Sequence, residues 1–536
     1  MGKRLSAGVL SLVILLSACV YFFFSEQKEG FHCDEMYSFG LSNSTFHYEM
    51  YNEDGSIRWN TAEDIDAYMT ASDEHRFDYA NVYKNQAEDV HPPLFYIFMH
   101  TFSSFTPGEY SIYHAIITNM LFAAGATIFL YLIMLKISKK RSSALIAATI
   151  YALSANCINM VTYLRMYEIL TFFTTAAIYV HLVLAENEYK LTWKRALALG
   201  TVIFFGAYTQ YYFFIFMTGL ALWTIVDILR CKRKKELLRY LGVIAVVAAI
   251  YAAVWPYVFG HLFGSVRGEE AFANIVSSSF VESLVFYLNV IRNGVGNLFS
   301  AIVVAATTFL ICAKSGRGLC RRIASNKNFF MILFVALFYF LIILRVSPYQ
   351  TDRYIAPIFP IFSIIITFSL GYAYSRIVRV CSEKLALSLL SVLLILGIST
   401  GIYDAMYGDW EINWDSNYLY DIPEEHQRIF DEHSGKKCVM IRKSEAYALW
   451  NMPDYKHFKE TAFVFPDEIE MLSENNHLKD ETEFILYMSI PIDSEENIAR
   501  IKEALGFDNH QFLISAEQRN HSNIYLVSKE NVKEIE

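Results

Sequence analysis

The chain has 536 residues, of which 54% are hydrophobic and only 18% are charged. This composition excludes an ordinary soluble domain and is typical of a polytopic membrane protein. The net charge of −9 hides two different parts, because residues 404–536 carry −15 and the preceding 403 residues carry +6, and neither part has the basic, polar character of a nucleic-acid-binding protein.

The first predicted element is a transmembrane helix at residues 5–24. The sequence "LSAC" at 16–19, behind Lys3 and Arg4, resembles the cleavage box of a bacterial lipoprotein. The apolar run continues as "VYFFF" beyond Cys19, however, where a lipoprotein turns polar and flexible. We therefore predict an uncleaved first membrane helix.

Further apolar segments have the length of about 20 residues that a helix needs to cross a bilayer. They lie at 111–135, 143–164, 167–186, 240–260, 295–313, 329–346, 354–374 and 385–403. The stretch 196–229 is too long for one helix and is basic at both ends, so we predict a hairpin that turns near Thr209–Tyr212. Together with the first helix, these segments and the hairpin give about 11 predicted transmembrane helices.

Lysine and arginine residues cluster at alternate connections between these segments. The clusters are Lys3 and Arg4, residues 139–141, residues 190–195, residues 230–239, residues 317–322 and residues 376–384. The positive-inside rule places all of them in the cytoplasm. The predicted chain is therefore a multi-pass protein of the cell membrane, with a cytoplasmic N-terminus and with residues 25–110 and 404–536 outside the cytoplasm.

The outer loop 25–110 contains the most unusual polar sequences. "FHCDEMYSFG" (31–40) places Asp34 and Glu35 just past the first membrane helix, and residues 61–89 have the mixed periodicity of solvated helices. "HPPLFYIFMHTFSSF" (91–105) then turns apolar, and we expect an interfacial helix at 94–106, because proline fits a first helical turn and the run is too short to span. The cytoplasmic connections have no glycine-rich phosphate-binding loop, which argues against a nucleotide-driven machine.

Together with three later motifs, this arrangement resembles a known superfamily. The later motifs are "YLRMYEIL" (163–170), "GAYTQYYFF" (206–214), which has Gln210 where histidine is common, and "DRYIAPIFP" (352–360). The set resembles the GT-C glycosyltransferases that depend on lipid-phosphate sugars, including protein O-mannosyltransferases, aminoarabinose transferases and the bacterial Rgt-like enzymes. The resemblance covers residues 5–403 as a GT-C-like transmembrane domain and leaves 404–536 uncovered.

The resemblance implies a sugar donor linked to a polyprenyl phosphate, a membrane lipid, and an acceptor in the cell envelope that it does not identify. Transfer to a hydroxyl needs a base, and Asp34 at the membrane boundary is our candidate, with inversion as the expected stereochemistry. Glu35 is expected to position Asp34 or to bind a sugar hydroxyl. Guanidinium groups suit the leaving phosphate.

The candidate substrate-binding residues are His91, Arg165, Tyr167, Glu168, Tyr211, Arg267, Arg353 and Tyr354, and Arg345 is a further cation at a helix end. Several of the candidates have a purely structural alternative. In these alternatives, Asp34 and Glu35 would be solvated loop carboxylates, and His91 would cap a helix. Arg165 and Arg353 would anchor helices at the interface, and Glu168 would pair with Arg165. No cofactor is required, and a divalent cation held by Asp34, Glu35 and His91 stays open.

The acidic segment 404–536 predicts a small extracytoplasmic α/β domain. Helices are predicted at 423–433 and 496–505, and strands at 437–442, 461–465, 483–490 and 524–528. We assign no catalysis to it and expect a solubilising cap or one wall of an acceptor cleft. Cys33 and Cys438 both lie outside the cytoplasm, but nothing in the sequence supports a disulfide between them.

Two other functional classes fit parts of this pattern. A secondary transporter is supported by the helix number, but its polar sites belong at the midplane, and inverted repeats are not evident in the sequence. A non-catalytic envelope sensor would use the acidic domain to bind a ligand.

Overall fold

The computed structural model describes residues 2–28, 30–45, 56–277, 279–312, 326–407, 424–473, 477–515 and 521–529. Their contacts divide the chain into two units. The transmembrane unit comprises residues 1–26, 89–95 and 115–417, and the loop–sheet unit comprises residues 27–88, 96–114 and 418–536. The sequence-based division at residue 403 follows the membrane segments, whereas these units follow packing.

The helices of the first half of the chain are α1 (Lys3–Ser25), α2 (Cys33–Asn43), α3 (Ala62–Met69), α4 (Tyr79–Glu88), α5 (Leu94–Ser103), α6 (Tyr113–Ser138), α7 (Arg141–Ala152), α8 (Ala155–Thr162), α9 (Tyr167–Glu186), α10 (Trp193–Ala207), α11 (Tyr212–Arg230) and α12 (Lys234–Val254). Those that follow are α13 (Val258–Phe263), α14 (Val266–Ser277), α15 (Phe280–Val295), α16 (Asn297–Cys312), α17 (Lys327–Val346), α18 (Phe359–Ile377), α19 (Glu383–Tyr407), α20 (Glu424–His433), α21 (Glu445–Trp450), α22 (Met452–Tyr455) and α23 (Glu495–Leu505). Short 3₁₀ helices occupy Asp352–Ile358, Pro466–Ser473 and Ile490–Ile492.

Within the described residues, eight helices are long and apolar enough to cross a membrane, or up to ten if two bent pairs each form one span. The predicted hairpin is confirmed, because α10 ends at Ala207 and α11 begins at Tyr212. The predicted span 143–164 is not one straight helix, since α7 and α8 meet at a bend of 51°. The side chain of Ser154 caps α8 by accepting the backbone N–H of Cys157, and this starts a new helix inside the apolar run.

Two helices precede the predicted span 295–313, where the sequence analysis assigned none. They are α14 and α15, and the span itself is the 16-residue helix α16. Charged residues interrupt the apolar pattern of both helices, so neither forms a continuous apolar run of membrane length. The cap at Ser279, whose side chain accepts the N–H of Glu282, was the local signal for α15.

The described strands form one six-stranded sheet in the loop–sheet unit. They are β1 (Trp59–Asn60), β2 (Cys438–Ile441), β3 (Thr461–Val464), β4 (Glu483–Ser489), β5 (Asn509–Ile514) and β6 (Ser522–Ser528), in the order β1-β3-β2-β4-β6-β5. The central strand β2 is parallel to β3 and β4, and the remaining pairs are antiparallel. The predicted small α/β domain is thus confirmed, and Cys33 and Cys438 carry free thiols.

The sheet also includes a strand that lies far from it in sequence. β1 belongs to the outer loop, and it pairs antiparallel with β3 through Trp59 opposite Ala462 and Asn60 opposite Thr461. The amide of Asn60 also donates to the carbonyl of Thr461 at 3.3 Å. The outer loop and the C-terminal sheet therefore share hydrogen bonds within one unit.

The core of this sheet predicts a measurable stability effect. Leu486 on β4 is fully buried among apolar side chains of β2, β3 and α23. We expect Leu486→Ala to lower the free energy of unfolding of the sheet by about 2–5 kcal/mol, because the site loses apolar contacts and gains a cavity. The matched control is Phe512→Ala, whose ring is 52% exposed. Urea-dependent proteolysis of the full-length protein measures both changes, and equal effects would contradict this assignment of the core.

Candidate active site

Helix α2 carries Asp34 and Glu35 in its first turn, and its N-terminus forms a capping box. The Nδ1 atom of His32 accepts the backbone N–H of Asp34 at 3.1 Å. The carboxylate of Glu35 accepts the backbone N–H of His32 at 2.8 Å. Reciprocal bonds of this kind satisfy two helix-end donors, and the helix dipole favours carboxylates in the first turn.

The two adjacent carboxylates lie in different environments. The side chain of Asp34 is 28% exposed, whereas that of Glu35 is fully buried. The ammonium group of Lys28, also fully buried, contacts the two carboxylate oxygens of Glu35 at 2.9 and 3.1 Å. Of the two roles that the sequence left open for Glu35, this geometry favours positioning over contact with a sugar, and it leaves Asp34 as the accessible carboxylate.

Residues of the C-terminal sheet domain pack against the start of α2 within the loop–sheet unit. The indole of Trp450, at the end of α21, packs edge-on against the His32 ring with centroids 4.4 Å apart. The hydroxyl of Tyr37 donates to the carboxylate of Glu445 at 3.3 Å. The C-terminal domain therefore supports the helix that carries Asp34.

In the transmembrane unit, His91 connects an acid to a buried arginine. Its Nδ1 atom lies 2.8 Å from a carboxylate oxygen of Asp89, and its Nε2 atom lies 3.5 Å from the Arg165 guanidinium. Burial raises the pKa of Asp89, but the charge and hydrogen bond of His91 and the charge of Arg165 outweigh it and hold that pKa below its usual range. Asp89 therefore stays ionised and fixes the ring orientation of His91.

Arg165 lies in a break between two buried helices. Residues 163–166 connect α8 to α9, and the Arg165 side chain is only 3% exposed. The amide of Asn119 on α6 donates to the carbonyls of Val161 and Tyr163 at 3.2 and 2.9 Å. These bonds satisfy backbone groups that the break releases, which a buried position requires.

Arg353 lies among aromatic rings at the start of the 3₁₀ helix Asp352–Ile358. Its guanidinium donates to the hydroxyl of Tyr163 and lies 5.6, 5.8 and 5.6 Å from the ring centroids of Tyr163, Tyr167 and Tyr354. The side chain is 5% exposed. Arg353 thus contacts Tyr163, which lies two residues before Arg165 and which the sequence analysis did not single out.

The remaining predicted site residues have other surroundings. Glu168 accepts a hydrogen bond from the hydroxyl of Tyr151 at 2.7 Å. The hydroxyl of Tyr211 lies 2.8 Å from Nδ1 of His261 and accepts the indole N–H of Trp255 at 3.0 Å. The Arg345 guanidinium lies over the ring of Phe280. Arg267 is part of α14, and its side chain lies outside the described part of the chain.

Three of the described side chains could hold a metal ion. A ring nitrogen of His32, Sγ of Cys33 and a carboxylate oxygen of Asp34 lie within 4.8 Å of one another. Nδ1 of His32 already accepts the N–H of Asp34, so an ion bound there would displace the helix cap. A metal bound through Nδ1 would therefore compete with the helix cap, and no step of the reaction is assigned to one.

The comparison with solved structures identifies the fold of the protein. The chain is similar to the crystal structure of ArnT from Cupriavidus metallidurans bound to undecaprenyl phosphate, with 10% identity, a TM-score of 0.53, and coverage of 97% of this chain and 98% of that one. Apo ArnT gives a TM-score of 0.55 at the same identity and coverage. The apo oligosaccharyltransferase of Archaeoglobus fulgidus gives 0.51, with 11% identity and coverage of 95% and 73%. The predicted GT-C fold is confirmed.

The sequence of the central region matches one family model. Residues 87–263, which include the HPP motif, Arg165 and Tyr211, match the model of the dolichyl-phosphate-mannose-protein mannosyltransferase family. No curated protein sequence matches the chain. The chain is a multi-pass membrane glycosyltransferase, as the sequence predicts.

Proposed function

We propose that the protein transfers a sugar from a polyprenyl-phosphate carrier to an acceptor outside the cytoplasm. The observation that carries this proposal is a pair of buried arginines: Arg165 lies in the break between α8 and α9, and the Arg353 guanidinium bonds to Tyr163 in the same break. Buried cations with fixed donors suit a phosphate. ArnT of Cupriavidus metallidurans, which has the same fold, was solved with undecaprenyl phosphate bound.

In the proposed reaction, an acceptor hydroxyl attacks the anomeric carbon of the sugar. The Asp34 carboxylate takes the hydroxyl proton as the new carbon–oxygen bond forms. The bond between the anomeric carbon and the phosphate oxygen breaks, and the lipid phosphate leaves with the electron pair. One direct displacement inverts the anomeric configuration.

The cations act on the leaving group. Negative charge grows on the phosphate as the bond breaks, and fixed cations that face it stabilise the transition state without reorganising. Guanidinium groups stay charged at all physiological pH values, so burial does not neutralise them. His91, whose ring is oriented by Asp89, contributes a further hydrogen bond to the phosphate.

The proposed reaction requires Asp34 and both arginines to act on the extracytoplasmic side of the membrane. The alternation of basic connections supports the orientation, with the N-terminus in the cytoplasm and the C-terminal domain outside. Residues 1–403 form the transmembrane domain in this proposal, and 404–536 form the acidic extracytoplasmic domain.

Mass analysis of cell-envelope glycans from cells with and without the protein tests the function. We expect one sugar modification to disappear without the protein and its polyprenyl-phosphate donor to accumulate. The purified protein should then transfer that sugar from the accumulated lipid fraction. An unchanged envelope and lipid fraction would contradict the proposal.

A further inference from the structure

Lys28 is a buried cation that the proposed reaction does not use. It follows the first membrane helix, and its side chain is fully buried. Its ammonium group pairs with both carboxylate oxygens of Glu35 and lies 5.1 Å from the ring centroid of Phe31. The ring of Tyr110 packs against Phe31 with centroids 6.3 Å apart.

A buried ion pair is a weak source of stability, because removing both charges from water costs about as much as their attraction returns. Burial lowers the pKa of Lys28 to about 8, although the charge of Glu35 opposes that shift. Between pH 8 and the ordinary lysine pKa, the unfolded chain binds a proton at Lys28 that the folded chain lacks. The free energy of unfolding therefore rises with pH in this range, and the cost of burying the charged lysine applies in full only below pH 8. Stability therefore does not explain why the pair is charged.

The pair does determine where the carboxylate of Glu35 lies. One of its oxygens accepts from both Lys28 and the backbone N–H of His32, and this bond closes the capping box. His32 in turn accepts the N–H of Asp34. A movement of Glu35 is thus transmitted to Asp34 through two hydrogen bonds in one helical turn.

We propose that Lys28 is a positioning residue for sugar transfer, because its ion pair with Glu35 fixes the first turn of α2 and, with it, the carboxylate of Asp34. This inference rests on the proposed role of Asp34 as the base. A displacement of about 1 Å at a reacting group is enough to cost on the order of 10²-fold in rate. The fully buried Lys28 side chain acts through Glu35 in this proposal.

A double-mutant series tests the role of the pair. Lys28→Met leaves the Glu35 charge buried without its partner, and we expect kcat to fall by about 10- to 100-fold. KM for the polyprenyl-phosphate lipid fraction should change by less than about twofold, because no donor contact is lost. Lys28→Met combined with Glu35→Gln should recover most of kcat, since the glutamine oxygen still accepts the N–H of His32. The matched control is Lys84→Met at an exposed position of α4, which should leave kcat unchanged.

The pH profile supplies a second readout. Above about pH 8 the wild-type Lys28 loses its charge, so kcat should decline there. Lys28→Arg keeps its charge and should extend the plateau to higher pH. Lys28 contacts the titratable group of Glu35, and the nearby Tyr110 ring lies 5.7 Å from the ammonium group of Lys456. Burial and the charge of Glu35 raise the pKa of Tyr110 well above its usual range. Tyr110 therefore does not titrate in this window.

The outcomes separate the inference from the proposed function. A double variant as slow as Lys28→Met, or a loss confined to KM, would overturn the positioning role. The positioning role would also be overturned if kcat of Lys28→Arg declined at the same alkaline pH as kcat of the wild type. This pH measurement remains possible if Lys28→Met fails to fold. Failure of the proposed function would appear instead as full transfer by Asp34→Asn.

Discussion

Replacing Asp34 by Asn should abolish sugar transfer while the protein stays folded. The amide has nearly the same shape as the carboxylate but cannot take the proton of the acceptor hydroxyl. General-base catalysis contributes about 10²- to 10⁴-fold, so we expect kcat to fall by that range. The fold should survive because the cap uses the backbone N–H of Asp34, and its side chain is 28% exposed.

The assay follows transfer from the polyprenyl-phosphate lipid fraction by equal amounts of purified variant and wild-type protein. Asp73→Asn is the matched control, because Asp73 lies in the same outer loop with a side chain that is 84% exposed. We expect this control to transfer at the wild-type rate. Wild-type activity in Asp34→Asn would remove the proposed base.

Replacing Arg353 should produce the second large effect. Arg353→Gln removes the charge, and we expect a loss of about 10²- to 10³-fold in kcat/KM for the lipid donor, which is typical for one transition-state donor. Arg353→Lys keeps the charge but loses the planar fork that lies among three rings, so it should recover only part of the activity. Tyr163→Phe removes the acceptor of the guanidinium hydrogen bond and should have a smaller effect.

The control for the arginine series is Arg379→Gln, at an exposed position. Initial rates at several concentrations of the lipid fraction separate donor binding from the chemical step. Equal losses in Arg353→Gln and Arg379→Gln would show that Arg353 has no specific role with the donor. Full recovery by Arg353→Lys would show that charge alone is needed.

The sequence predicted those parts of the fold that depend on local pattern. The hairpin turn near Thr209–Tyr212 followed from charge at both ends of one apolar run. Strands β2, β3, β4 and β6 followed from short apolar runs between polar segments. The edge strand β5 was missed because its residues are mostly half-buried or exposed. β1 has two residues and exists only through its pairing with β3, which no local pattern reveals.

The candidate site shows the same limit. Asp34, His91, Arg165 and Arg353 could be proposed from the sequence because each lies in a recognisable motif next to the membrane. Their partners lie outside those motifs or carry no distinctive pattern. The partners are Asp89, Tyr163, Lys28 and Trp450. Among these partners, only Asp89 had a local signal in the sequence, because it lies two positions before His91. The packing of α21 on the start of α2 depends on contacts across some 400 positions of chain, which single-sequence reasoning does not reach.

The anomeric configuration of the transferred sugar tests the proposed mechanism most directly. NMR spectroscopy of the lipid donor and of the isolated product gives the configuration at the anomeric carbon before and after transfer. One displacement with Asp34 as the base predicts that it inverts. Retention would contradict this mechanism, since it requires a second displacement that the proposed site does not provide.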